Sequence, residues 1–149
     1  MWQLKDVPFE KGISARFASD GSLKLLANLT LLQQAGSLQL IGFEEPETYM
    51  APQTLFPITE AMRETAGEAQ ILVNTHSPTI LNAFRPEEVW ILYRIEEGFA
   101  KALRTSEIRG VQEAIDEGAA LGNLWVQGFL RVGDPTNHGG MPAPSFGER

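Results

Sequence analysis

The sequence predicts an α/β domain with a mainly parallel sheet flanked by helices, and three observations carry that prediction. The first is the stretch Leu38-Gln39-Leu40-Ile41-Gly42-Phe43, which is nearly without polar groups and shows no clean in-out alternation. Such a run reads as a strand covered on both faces, the pattern of a parallel sheet. The second is a similar run, Gln70-Ile71-Leu72-Val73-Asn74-Thr75, reached through a segment of helical character. Two parallel strands joined by a helical crossover have their carboxyl ends side by side. The third is that both runs end in chemistry, Glu44-Glu45-Pro46-Glu47 after the first and His76-Ser77-Pro78 after the second. Unpaired charge is costly to bury, so these residues belong where the strands emerge. In open α/β sheets that is where ligands bind.

Composition narrows the class. The chain has 149 residues, enough for one domain with its own core, and its 43% hydrophobic and 21% charged residues are the balance of a soluble globular protein. The net charge of −7 argues against a free-standing basic nucleic-acid binder, because phosphate contacts need a positive surface. It leaves room for a local basic patch or a DNA-binding partner. Cysteine is absent, which excludes a disulfide framework, a thiolate metal site and a cysteine nucleophile. No apolar segment approaches the length of a bilayer span, and Met-Trp-Gln-Leu-Lys-Asp has no signal-peptide shape. A cytoplasmic location without membrane association is the expectation.

Taken in order, residues 2 to 17 hold scattered apolar side chains and support a short strand or two. Ser19 or Asp20 caps a following helix whose Leu- and Ala-rich run predicts burial nearly all round, with Gly36 as its stop. After the central strand, Pro52 opens a second helix through Leu55, Ile58 and Met62, with a late start or kink at Pro57 and an end at Gly67. Ser77 caps a short helix through Ile80 and Leu81. Residues 88 to 94 read as a third strand, turned by Glu96-Glu97-Gly98 into a hairpin with Phe99 to Arg104. Ser106 to Glu117 reads as an amphipathic helix burying Ile108, Val111 and Ile115. Leu121, Leu124, Trp125 and Phe129 follow at helical spacing as packing residues. From Gly133 the Gly- and Pro-rich tail is expected to be disordered, and His138 within it is given no role.

The candidate site residues each carry two readings. Glu44 and Glu45 either begin a solvated loop or offer hard oxygen ligands and a base, the needs of phosphoryl chemistry. Ser19-Asp20-Gly21 either caps a helix or makes an anion site from free amides and the helix dipole, with Lys24 adding positive charge. A lone histidine is more often structural, yet His76, like the acids, stands at the end of an apolar strand.

Three motifs in order, Ala18-Ser19-Asp20-Gly21-Ser22 before a Leu-rich helix, an apolar strand ending in Glu-Glu-Pro-Glu, and an apolar strand ending in Asn-Thr-His-Ser-Pro, resemble the C-terminal half of ABC-type ATPases over residues 10 to 130. The resemblance is to the stand-alone AAA-family ATPases of the structural-maintenance-of-chromosomes and overcoming-lysogenization-defect kind. It implies a partial P-loop NTPase domain over residues 1 to 132, with a C-terminal β-hairpin and helices, and a tail over 133 to 149. It implies that Ser19, Asp20 and Gly21 form the signature that contacts nucleotide on an opposing protomer, away from their own acids. Leu38 to Glu45 stands as Walker B, with Glu44 as the Mg²⁺-associated acid and Glu45 orienting the attacking water. Residues 46 to 52 follow as the D-loop, and His76 is the switch histidine that senses the γ-phosphate.

The chain departs from the family pattern in four places. Ala18 replaces the usual Leu before the signature serine, Glu44 the usual Asp, and Ala51 a His common before the proline. No Gly-x-x-x-x-Gly-Lys-Ser/Thr occurs, so the phosphate cradle known as Walker A is missing. By the resemblance, the strand before that loop lies between 70–75 and 88–94. Those two strands are therefore expected to close up or to recruit a strand from residues 2 to 17 or from another copy. The function implied is ATP binding and hydrolysis with ATP and Mg²⁺. It would need a homodimer or an N-terminal half carrying Walker A, and DNA would be reached through the complete protein. The alternatives are a non-hydrolysing regulatory or assembly module, and a metal-dependent nuclease using Glu44, Glu45 and Glu47. The nuclease is disfavoured because no further carboxylate cluster completes a two-metal site.

Overall fold

A computed structural model describes residues 3–4, 12–95 and 98–130. Its contacts divide the chain into two compact units, Met1–Ser77 and Pro78–Arg149.

The first unit opens with β1 (Gln3–Leu4) paired antiparallel with β2 (Ile13–Ser14), the short strands expected in this region. Helix α1 (Asp20–Leu32) follows, and of the two possible caps it is Ser19 that serves: its backbone is extended and its Oγ accepts the Ser22 N–H at 3.2 Å. The all-round burial expected of α1 is not found. Only Asn28 and Leu32 are buried, whereas Leu23, Leu26, Leu29 and Leu31 are each at least a third exposed. The helix rests on the core by one stripe, and its leucines extend beyond the surface it meets. It ends at Leu32, before Gly36, which sits inside a 3₁₀ turn over Ala35–Ser37.

Strands β3 (Leu40–Glu44) and β4 (Gln70–Asn74) form a parallel pair in the register Leu40↔Gln70 to Glu44↔Asn74. Between them runs α2 (Pro52–Thr65), with Pro52 in its first turn and the C-cap at Ala66, just before Gly67. The break expected at Pro57 does not occur. A proline this close to the start removes one intrahelical bond, to the Gln53 carbonyl, and burial of Leu55, Ile58, Thr59 and Met62 keeps the helix in one piece. The Thr59 hydroxyl, fully buried, donates to carbonyls of the preceding turn, Leu55 at 3.0 Å and Phe56 at 2.8 Å. Ile41, Phe43, Ile58, Met62, Leu32, Ala35 and Ala69 form the core of this unit, with Ile71 and Val73 against it. Each large side chain withdrawn there contributes about 1.5–3 kcal/mol.

The expectation of a strand covered on both faces is corrected. Ile41 and Phe43 are buried, but Leu40 is 55% exposed and Leu72 63%. Because side chains alternate, Leu40, Gly42 and Glu44 share the open face with Gln70, Leu72 and Asn74. The mainly parallel sheet is corrected as well. The described residues form three two-stranded sheets, of which only β3–β4 is parallel. Within the first unit, β4 pairs with β3 and not with the N-terminal strands among the described residues.

The second unit begins with α3 (Pro78–Leu81) and holds the expected hairpin, β5 (Trp90–Arg94) antiparallel to β6 (Ala100–Arg104). Glu96 and Glu97 of its turn lie outside the described residues. The register sets Trp90 opposite Arg104, whose guanidinium lies 4.5 Å from the centre of the indole ring. Helix α4 (Val111–Asp116) starts later than expected. Thr105 is buried, with its hydroxyl donating to the Pro86 carbonyl at 2.7 Å and its N–H to Val89 at 3.0 Å. Residues 105–107 therefore form a 3₁₀ turn, and Gly110, with φ of 84°, precedes α4. Helix α5 (Leu121–Val126) completes a core of Leu103, Ile108, Val111, Leu121, Leu124 and Leu130. Phe129, expected inside, is 40% exposed. Gly122 sits where a Cβ would strike the Pro78 carbonyl, and its N–H donates to Asn82 Oδ1 at 2.7 Å. The expected tail beyond residue 132 lies outside the described residues. Among those described, no helix is long and apolar enough to cross a membrane.

Candidate functional site

The carboxyl ends of β3 and β4 carry the site, and the parallel ladder dictates what meets there. It runs one residue beyond the strands, the Glu45 N–H donating to the Asn74 carbonyl at 2.8 Å. Glu44 is the last strand residue, exposed and on the open face with Asn74. At Glu45 the backbone turns into the left-handed region, φ 41°, uncommon for a residue with a side chain and a frequent mark of functional sites. Pro46, fully buried, occupies the second position of the turn that follows, closed by the Thr48 N–H on the Glu45 carbonyl at 3.0 Å. The Thr48 hydroxyl also donates to Glu45 Oε2 at 3.2 Å.

His76 enters from the end of β4. Its Nε2 lies 3.7 Å from Glu45 Oε1, with the two side chains 74% and 47% exposed. So open a pair contributes little to stability; what it has is access. The hydrogen bonds that fix the loop run through Glu47. Its Oε1 accepts from the Thr75 hydroxyl at 2.7 Å and from the His76 N–H at 2.9 Å.

The N-terminus of α1 was expected to lie away from these acids, and that expectation is corrected. Lys24 Nζ donates to the Glu45 backbone carbonyl at 2.5 Å. A Cβ on Gly21 would collide with the Tyr49 carbonyl, so the bare glycine lets the turn after β3 lie against the helix. Lys24 thus holds the backbone of the acid loop, whereas the sequence suggested free positive charge for an anion. Ser19 Oγ caps the helix and lies 2.8 Å from Ser22 Oγ, and Asp20 stands in the first turn.

The structure therefore brings Glu45 and His76 together, places Glu44 beside them in sequence, and ties Lys24 and Gly21 to the same loop. Sequence reasoning gave Thr48 and Thr75 no individual role, and it named Glu47 only within the D-loop and as a metal ligand of the nuclease alternative. Partners 28 and 29 residues apart follow no spacing rule. The available signal was a third acid, two residues after Glu45, directly following a proline.

The donor set bears on two implied groups. Magnesium commonly takes one or two carboxylates with phosphates and waters completing its shell, and Glu44 at an open strand end suits that mode. No group of three or more His, Asp or Glu able to hold a metal occurs among the described residues. For a nucleotide, the chain offers acids and a histidine at a strand edge but no phosphate-loop motif.

A comparison with protein families finds a match over residues 6–82, just over half of the chain, to the family described as "AAA domain, putative AbiEii toxin, Type IV TA system". No curated protein matches the chain.

Proposed function

The chain belongs to this AAA-domain family, and from that premise we propose that it supplies the acid-bearing half of an ATP-hydrolysing site of the ABC type. Within that type it would be of the structural-maintenance-of-chromosomes and overcoming-lysogenization-defect kind. The observation that supports the reading best is the meeting of Glu45 and His76 at the carboxyl end of a parallel strand pair. Phosphoryl transfer is catalysed mainly by positioning and electrostatics. Bound ATP and Mg²⁺ would bring the transferable phosphoryl group and charge neutralisation. Glu45 orients the attacking water and accepts its proton. His76 would donate toward the terminal phosphate, Glu44 would hold the metal, and Ser19, Asp20 and Gly21 would face the nucleotide of an opposing protomer.

The cradle comes from elsewhere in this proposal, from a Walker A-bearing half, while a homodimeric arrangement would bring the opposing signature. The open face of β3–β4 supports it, since Leu40 and Leu72 are apolar side chains left in water. Contact with DNA would run through the complete assembly, in the cytoplasm. The test is calorimetric titration with ATP and Mg²⁺, then turnover with and without a co-expressed half carrying the phosphate loop. The isolated chain should show no turnover, and the pair should show turnover abolished by Glu45→Gln. The missing cradle also favours a second reading, a non-hydrolysing regulatory or assembly module. A pair that binds ATP and never hydrolyses it would select that reading.

A further inference from the structure

We infer that Glu47 is the positioning residue of this site, a carboxylate that hangs the His76 loop on the turn after β3 and so sets where His76 stands relative to Glu45. The inference deepens the proposed function and rests on its reading of Glu45 and His76 as working partners. Those two side chains do not hold each other: both are open to solvent, and exposed ion pairs are weak. The tethers lie one residue back on the β4 side and two residues on from Glu45. Glu47 Oε1 takes both the Thr75 hydroxyl and the His76 N–H, at 2.7 and 2.9 Å. Hydrogen bonds to an ionised carboxylate are among the stronger ones. The bond is relayed, because Thr75 Oγ1 in turn accepts the Ser77 N–H at 2.9 Å. One carboxylate oxygen thus orders three consecutive residues of the loop.

Glu47 is itself rigidly placed. It follows the buried Pro46, lies inside the turn closed by the Thr48 N–H, and its carbonyl accepts the Met50 N–H at 2.9 Å. Its second oxygen, Oε2, is buried with no hydrogen-bond partner among the described residues. A buried acceptor without a donor is costly, and such departures from local rules concentrate at functional sites. A carboxylate serving only solubility would turn both oxygens to water.

The test uses the full chain and nuclear magnetic resonance, which is simplified because His76 and His138 are the two histidines present. In the unaltered protein, Glu45→Gln should move the His76 imidazole signals, reporting the contact. In a Glu47→Ala background that response should fall by more than half, with a displaced and faster-exchanging His76 amide. Glu47→Gln keeps an oxygen able to accept both bonds and should restore most of the response, a rescue that a purely space-filling role would not show. Thr75→Val removes one donor while keeping the side chain's shape, and it carries the test if Glu47→Ala fails to fold. An unchanged response of His76 to Glu45→Gln in both Glu47→Ala and Thr75→Val overturns the inference. Failure of Glu47→Gln to rescue overturns the hydrogen-bond assignment. None of these readouts needs turnover, so an assembly that never hydrolyses ATP would sink the proposed function while the positioning role stands on its own data. Where turnover occurs, Glu47→Ala should lower kcat several-fold and leave the KM for ATP unchanged.

Discussion

The two faces of the β3–β4 pair are made by the same ten residues and have opposite fates. On one, Ile41 and Phe43 are withdrawn almost completely from water, packed with Ile58 and Met62 of α2. On the other, Leu40 and Leu72 lie more than half exposed, beside Gly42, Glu44 and Asn74. The covered face holds the unit together, whereas the open face and its carboxyl end carry the candidate residues Glu44, Glu45 and His76. A sequence run that is apolar throughout does not say which face is covered within its own chain.

The comparison can be broken or sharpened by substitution, beginning with the largest effect. Glu45→Gln, in an assembly that supplies the phosphate loop, should reduce turnover by about 10²–10⁴-fold, the usual contribution of a positioned base. Its thermal midpoint should stay near that of the unaltered protein, because Glu45 is half-exposed. An equal loss of stability would mean that chemistry and folding are not separated as described.

Phe43→Ala tests the covered face. Loss of an aromatic ring from a packed core costs about 3–5 kcal/mol, against a whole-domain stability of about 5–15 kcal/mol. Denaturant titration should show a strongly shifted midpoint, and a shift no larger than that of Leu72→Ala would contradict the burial difference. A smaller effect is expected at the helix that abuts the acid loop. Gly21→Ala forces a methyl group into the Tyr49 carbonyl, and overpacking of this kind costs about 1–3 kcal/mol. Unlike a simple helix substitution, it should also perturb the Glu45 and Tyr49 amides in a heteronuclear spectrum. Ser19→Ala removes the cap on Ser22 and should cost about 1 kcal/mol. Its spectral changes should stay within the first turn of α1. The smallest effect belongs to Leu72→Ser on the open face, which should alter the stability of the isolated chain by no more than about 0.5 kcal/mol. It should nevertheless weaken capture of a Walker A-bearing half in a pull-down. Unchanged capture would show that this face is not where that half docks.

Much of the framework was determined by sequence alone, because it rests on local rules. Apolar runs of strand length, a serine before a leucine-rich segment and a proline at a helix start act over a few residues, and β3, β4, α1 and α2 appear where those rules place them. The parallel pairing that brings the residues after β3 and β4 together also followed, since a helical crossover leaves few options. Burial was another matter. The sequence made α1 an all-round buried helix and β3 a doubly covered strand, and only the packing showed that each has one covered side. Pro57 inside a continuous helix, the late start of α4 behind the buried Thr105 and the approach of Lys24 to the Glu45 carbonyl were decided in the same way. So was the grip of Glu47 on Thr75 and His76. Each depends on a neighbour far along the chain. Residue type and spacing say what a segment prefers, but what it faces is set when distant segments compete for the same core and the same hydrogen-bond donors.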